Sequence, residues 1–148
     1  MKRTTIIVFL LVWSIPGYAQ NHNPELFVEW EKLNAEVVSL HKQGRYDRAV
    51  EVAKKAFKIA EEKGGLNHPT VPLSLNNLAE LYRLQGRYTL AEPPCKRALA
   101  IREKKLGPDH PAVASSLNNL AAIYRKTNRI QTTKIYEKRA AAIRAIKP

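Results

Sequence analysis

An all-α solenoid of three helix-turn-helix repeats is the fold class this sequence predicts, on three observations. The phrase Leu-Asn-Asn-Leu-Ala-x-x-Tyr-Arg stands at 75–83 and again at 117–125, an offset of 42 residues. Its flanking signals recur at the same offset: His68-Pro69-x-Val71 as His110-Pro111-x-Val113, and Gly44-Arg45-Tyr46 as Gly86-Arg87-Tyr88. Across 68–83 and 110–125, 11 of 16 positions are identical. A fixed period of this size marks units that cannot bury their apolar faces alone and must stack. Between these signals the apolar residues fall at spacings of three and four, one helical face at a time, with glycine at the breaks.

The first nineteen residues have the layout of an export signal. Lys2 and Arg3 form a positive start, Ile6 to Trp13 is an unbroken apolar run, and Pro16-Gly17-Tyr18-Ala19 supplies a helix break and a small-residue cleavage site before Gln20. The run is shorter than the roughly 20 apolar residues a bilayer span needs. Cleavage is expected, with retention as an N-terminal anchor the alternative. The expected location is periplasmic or secreted. The repeat domain is then 20–148, with units at about 25–66, 67–108 and 109–148.

In the first unit Asn23 can cap a helix A whose first residue is Pro24, where the missing N–H costs nothing. That helix carries Leu26, Phe27, Trp30, Leu33, Val37 and Leu40 on one face. Gly44 stops it, and Asp47 is expected to cap helix B with Ala49, Ala53, Ala56 and Phe57 inward. In the second unit helix A runs from about Pro69 to Gln85, with Leu75, Leu78, Ala79, Leu81 and Tyr82 as its stripe. Gly86 ends it, and Thr89 with Glu92 reads as a capping box for helix B, which runs to about Lys105 and turns Ala91, Cys95, Ala98 and Leu99 inward. Pro93 and Pro94 fall early in that helix, where the lost backbone bonds are unfavourable. The third unit drifts: Asn128, Ile130, Thr133 and Glu137 replace the glycine, tyrosine, alanine and Cys95 of the second. Polar drift of this kind suits the last unit of a stack.

The chain has 25 Lys+Arg against 13 Asp+Glu, a formal charge of +12, and 45% hydrophobic residues, enough for an ordinary core. Removing Lys2 and Arg3 leaves 23 against 13, or +10, so the basic character belongs to the repeats. It favours acidic partners or anionic surfaces. Cys95 is the single cysteine, which excludes an intrachain disulfide, and its place in the helix pattern predicts an inert, buried thiol.

Leu-Asn-Asn-Leu-Ala-x-x-Tyr at 75–82 and 117–124, Gly-Arg-Tyr at 44–46 and 86–88, the stretch from Lys96 to Pro111 and the pair Ala91 and Ala98 together resemble the tetratricopeptide repeat. The resemblance is to its longer, 42-residue, kinesin-light-chain-like kind, and it covers about 25–148. It implies a right-handed solenoid whose A helices line a concave surface, and a role in protein binding. Pro94, where the family has a large apolar residue, departs from the pattern.

On that implied concave surface Asn34, Asn76 and Asn118 form one ladder and Asn77 with Asn119 part of a second, with His41, Glu80, Arg83 and Arg125 further along the same helices. Asparagine both donates and accepts, so such a column can bind the backbone of an extended peptide. Arginine adds charge-assisted contacts to carboxylates. With A helices about 10 Å apart and about 3.3 Å per extended residue, the groove would hold about six residues. One asparagine per unit can equally be structural, bridging its helix to a neighbour.

Other chemistry finds little footing. His68 and His110 stand one repeat apart, about 10 Å, too far to share a zinc ion bound at about 2.1 Å, and instead order the starts of the A helices beside Pro69 and Pro111. His22 and His41 have no companions at ligand spacing. No metal or cofactor is expected. The glycine-rich phosphate loop, H-E-x-x-H and G-x-S-x-G are all missing, so no enzyme is expected. Lys96, Arg97, Arg102, Lys104, Lys105, Arg139, Arg144 and Lys147 lie mostly along the B helices. They read as a solvated convex face or as a contact for an anionic membrane, and without interleaved aromatics they do not suggest nucleic acid. The expected function is an exported scaffold binding an extended, acidic peptide or partner subunit. The alternatives are a basic protein associating with the anionic envelope surface and a self-associating module joined through unit three.

Overall fold

The computed structural model of the chain describes residues 24–65 and 68–146. The expected signal, its cleavage site, the Asn23 cap and Lys147 lie outside them. Among the described residues six α-helices follow one another: α1 (Pro24–Lys42), α2 (Tyr46–Gly64), α3 (Thr70–Leu84), α4 (Tyr88–Leu106), α5 (Pro111–Lys126) and α6 (Ile130–Ala145). Each packs on the next, so that α1, α3 and α5 form one layer, the A helices, and α2, α4 and α6 the other, the B helices. Neighbouring A helices also touch directly, while B helices reach across their seams through long side chains such as Arg97 to Glu61 and Arg139 to Glu103. The A layer is therefore the tighter of the two.

The turn between A and B is the same in all three units. Gly86 has φ +72°, its N–H bonds to Arg83 O at 3.0 Å, and the next N–H, of Arg87, bonds to Tyr82 O at 2.8 Å. This pair of bonds satisfies the last carbonyls of α3 and requires the left-handed conformation that glycine reaches freely. Gly44 and Arg45 repeat it, and so do Asn128 and Arg129, with Asn128 at φ 58°. Asparagine is the residue other than glycine that enters this region most readily, which is why the third turn survives the loss of its glycine.

This turn corrects two expectations. Helix α4 begins at Tyr88, directly after Arg87, with no side-chain cap. Thr89 is thus inside the first turn, and no capping box forms with Glu92. Asp47 likewise sits in the first turn of α2 rather than before it, and accepts from Gln85 Nε2 at 2.6 Å. The turn leaves no residue free to act as a separate cap, because the arginine that closes one helix stands immediately before the next. Pro93 and Pro94 consequently lie deeper in α4 than expected, at its sixth and seventh residues. They remove the N–H groups that would reach Thr89 and Leu90.

The core follows the predicted stripes. Val37, Leu40, Val52, Leu78 and Leu81 join units one and two, and Cys95, Leu99, Val113, Leu117, Leu120 and Ala140 join two and three. At the first edge of the stack the pattern changes. Val71, Ser74, Leu78 and Leu81 of α3 are buried against unit one, but Glu29, Lys32, Glu36 and Ser39 hold those places in α1 and are exposed. At the other edge Glu137 and Ala141 stand where α4 has Cys95 and Leu99. Polar edge positions keep a short stack from growing at its apolar seams.

Candidate functional site

The A layer carries the candidate residues, and most are engaged within the chain. Asn77 Nδ2 donates to Asn34 Oδ1 at 2.6 Å, tying α3 to α1. Asn76 turns toward the B layer, and with its amide oxygen facing Arg102 it accepts from Nη1 and Nη2 at 2.5 and 2.8 Å. The expected ladder of Asn34, Asn76 and Asn118 thus does not act as one row: Asn34 bonds Asn77, one place over, and Asn76 serves a different neighbour. Asn118 and Asn119 on α5 are half-buried and make no side-chain bond among the described residues.

The two arginines of the motif each hold a carboxylate. Arg83 grips Glu80 through Nε at 2.8 Å and Nη2 at 2.5 Å, and this contact raises its pKa. Unit three has Ala122 at the place of Glu80, and Arg125 pairs instead with Glu137 on α6. A peptide carboxylate would exchange with these internal partners rather than meet bare guanidinium groups. His41 is exposed at the end of α1, its ring 6.0 Å from that of Tyr46.

Arg102 is the residue sequence reasoning misplaced. It was expected on the solvated convex face, yet it is buried, and Nη1 donates to Ser116 Oγ at 2.8 Å and Ala112 O at 3.2 Å. Burial lowers its pKa, and its acceptors are all neutral. The signal lay in two linked substitutions. Unit one has Trp30 and Ala60 where unit two has Pro72 and Arg102. Trp30 Nε1 donates to Ser74 Oγ at 2.7 Å, the bond Arg102 makes to Ser116 one repeat later. Where the tryptophan is lost, the arginine fills the space and supplies the N–H.

A second inter-unit clamp centres on Glu92. It takes Arg129 Nη2 at 2.5 Å, Lys96 Nζ at 2.6 Å and Tyr124 Oη at 3.3 Å. The hydrogen bond from Arg129 is the largest reason its carboxyl is held down at about 2. Arg129 also lies over the Tyr124 ring, 4.2 Å from its centre, and burial pushes the Tyr124 phenol up to about 12. Lys96, Arg97 and Arg139, also read as solvated, are ion-paired to Glu92, Glu61 and Glu103.

The histidines cap helices. His110 Nδ1 accepts from Ala112 N at 3.1 Å, and His68 Nδ1 from Thr70 N at 3.3 Å, one repeat apart. Among the described residues no three His, Cys, Asp or Glu side chains gather to hold a metal ion. Cys95 is fully buried with Sγ 3.8 Å from Ser116 O, and burial pushes its thiol up to about 12. No described helix is long and apolar enough to cross a membrane.

The sequence profile of the tetratricopeptide repeat matches residues 33–94 and 70–145. The crystal structure of BtubC (BKLC) from P. vanneervenii is similar, with a TM-score of 0.78 at 23% identity over 97% of this chain and 54% of that one. A kinesin light chain of Podosopora anserina with nearly identical TPR-like repeats gives a TM-score of 0.73 at 23% identity, over 80% of this chain and 56% of that one. The chain spans little more than half the length of either structure. No curated protein sequence matches it.

Proposed function

This chain belongs to the tetratricopeptide-repeat family, a fold of protein–protein interaction scaffolds, and on that premise we propose that it is a non-enzymatic scaffold whose A layer binds an extended peptide or partner segment. The observation that carries the reading is the unequal use of the asparagines. Asn34 with Asn77 and Asn76 with Arg102 hold helices together, whereas Asn118 and Asn119 keep donors and acceptors unused on the same layer. A half-buried amide left unused costs nothing only if water or a ligand meets it. Arg83 and Arg125 favour a segment with acidic side chains, which would take over from Glu80 and Glu137. Each neutral hydrogen bond nets about 0.5–1.5 kcal/mol, so affinity should be micromolar.

The test compares partners captured by the chain with those captured by an Asn118→Ala, Asn119→Ala, Arg83→Ala variant, read quantitatively. Loss of the same partners from the variant, with its melting temperature kept, supports the reading. Equal recovery defeats it. The basic start, apolar run and small-residue site of residues 1–19 support export to a periplasmic or extracellular location. The protein recovered from its native compartment should then begin at Gln20.

A further inference from the structure

Of the two helical layers, only one carries a net charge. Helices α1, α3 and α5 carry five cations and five anions, whereas α2, α4 and α6 carry 14 cations and 7 anions. The B-layer carboxylates are already engaged: six of the seven are held by cations, and Asp47 accepts from Gln85. That leaves Lys54, Lys55, Lys104, Lys105, Lys134, Lys138 and Arg144 exposed and without a carboxylate among the described residues. Lys54, Lys96 and Lys138 occupy one position in three successive units and form a lysine column across the B face, its middle member paired to Glu92 and its two outer members unpaired.

The last helix adds apolar surface to this charge. Ile135 is 65% exposed and sits between Lys134 and Lys138, with Ile130 at the start of α6 and Ile146 at its end also exposed. The aromatic residues of the B helices, Tyr46, Phe57, Tyr88 and Tyr136, are packed against the core instead. A nucleic acid would gain from exposed aromatics and nothing from exposed isoleucine. A bilayer gains from both features present here, lysines for the headgroups and isoleucines for the boundary below them.

We propose that the B layer docks on an anionic lipid surface through its free lysines, with Ile135 of α6 entering the interface. This face is opposite the A layer, so the docked protein keeps its peptide-binding side open, and the proposal does not depend on that reading.

The experiment is co-sedimentation of the chain with vesicles of equal phosphatidylglycerol and phosphatidylcholine, beside vesicles of phosphatidylcholine alone, which measure any binding by the apolar N-terminal run. Neutral vesicles should bind at least tenfold more weakly. At about fivefold per basic residue, K54E/K134E/K138E should lose well over tenfold on anionic vesicles, with its helical signal unchanged. K54Q/K134Q/K138Q gives the same reading should the reversal disturb folding. I135S should lose several-fold at both low and high salt. Equal sedimentation of the charge variants and the parent on anionic vesicles, or tighter binding to a 20-nucleotide single strand that I135S leaves unchanged, would each overturn the proposal. The Asn118→Ala, Asn119→Ala, Arg83→Ala variant should bind vesicles like the parent, which separates this face from the other.

Discussion

Trp30 and Arg102 perform one task from different helices: each donates a buried N–H to the serine of the following unit, Ser74 at 2.7 Å and Ser116 at 2.8 Å. The two bonds differ in what remains when the serine is removed. Ser74→Ala strands the Trp30 indole N–H, which has a single donor. Ser116→Ala leaves Arg102 with Asn76 and Ala112. A buried donor without a partner costs about 1–3 kcal/mol. Urea unfolding should therefore show Ser74→Ala destabilised by about that amount and Ser116→Ala by less than half of it.

Pro94 interrupts an otherwise regular α4, and its repeat partners are Val52 and Tyr136, both apolar. An interior proline costs about 3 kcal/mol in a helix, part of which returns as lower entropy of the unfolded chain. Pro94→Leu restores a backbone bond and an apolar contact, and should raise the melting temperature by about 5 °C. A fall in melting temperature would show that the proline ring itself fills the seam.

Glu92 makes stability depend on pH. Its folded value, about 2, lies below its ordinary 4.5, chiefly through the bond from Arg129. Its contribution is therefore complete above pH 4.5 and is lost as pH falls toward 2. Glu92→Gln should melt lower than the parent at pH 7, and the gap should close between pH 4.5 and 2. A gap that stays constant would mean the clamp acts through shape rather than charge.

Cys95, with its thiol pushed up to about 12 and fully buried, has almost no thiolate at pH 8. A maleimide should label it only as fast as the fold opens, and urea above the midpoint should release the reaction. Rapid labelling of the native protein would contradict the packing of α4 against α5.

The repeat was legible because it is a period, and a period survives drift at individual sites. Leu75, Leu78 and Leu117 read as core and are core. Arg102 was not legible residue by residue, because a lone arginine on a helix is most often solvated. Only the joint exchange of Trp30 and Ala60 for Pro72 and Arg102 marks it. The helix starts were misplaced at Asp47 and Thr89 for a different reason. Capping rules assume a residue to spare before the helix, and the Gly-Arg turn has none. The asparagines do not act as a single row, since side chains at one register can lean to different neighbours, as Asn34 does to Asn77 and Asn76 to Arg102.

The shared arginine of each A–B turn has a consequence for how such a chain can change in length. Arg87 donates the N–H that closes α3 and stands immediately before α4 without a spacer, so one residue added there would rotate the whole of α4 by about 100°. Cys95 and Leu99 would leave the seam, and the lysine column would swing off its face. The connections near Gly65 and Gly107 join helices of different units and end in histidine caps that can re-form around a longer path. Insertions should be tolerated at 107–109 and refused at 43–45, 85–87 and 127–129. The protein is in this sense hinged for lengthening between its units and welded within them.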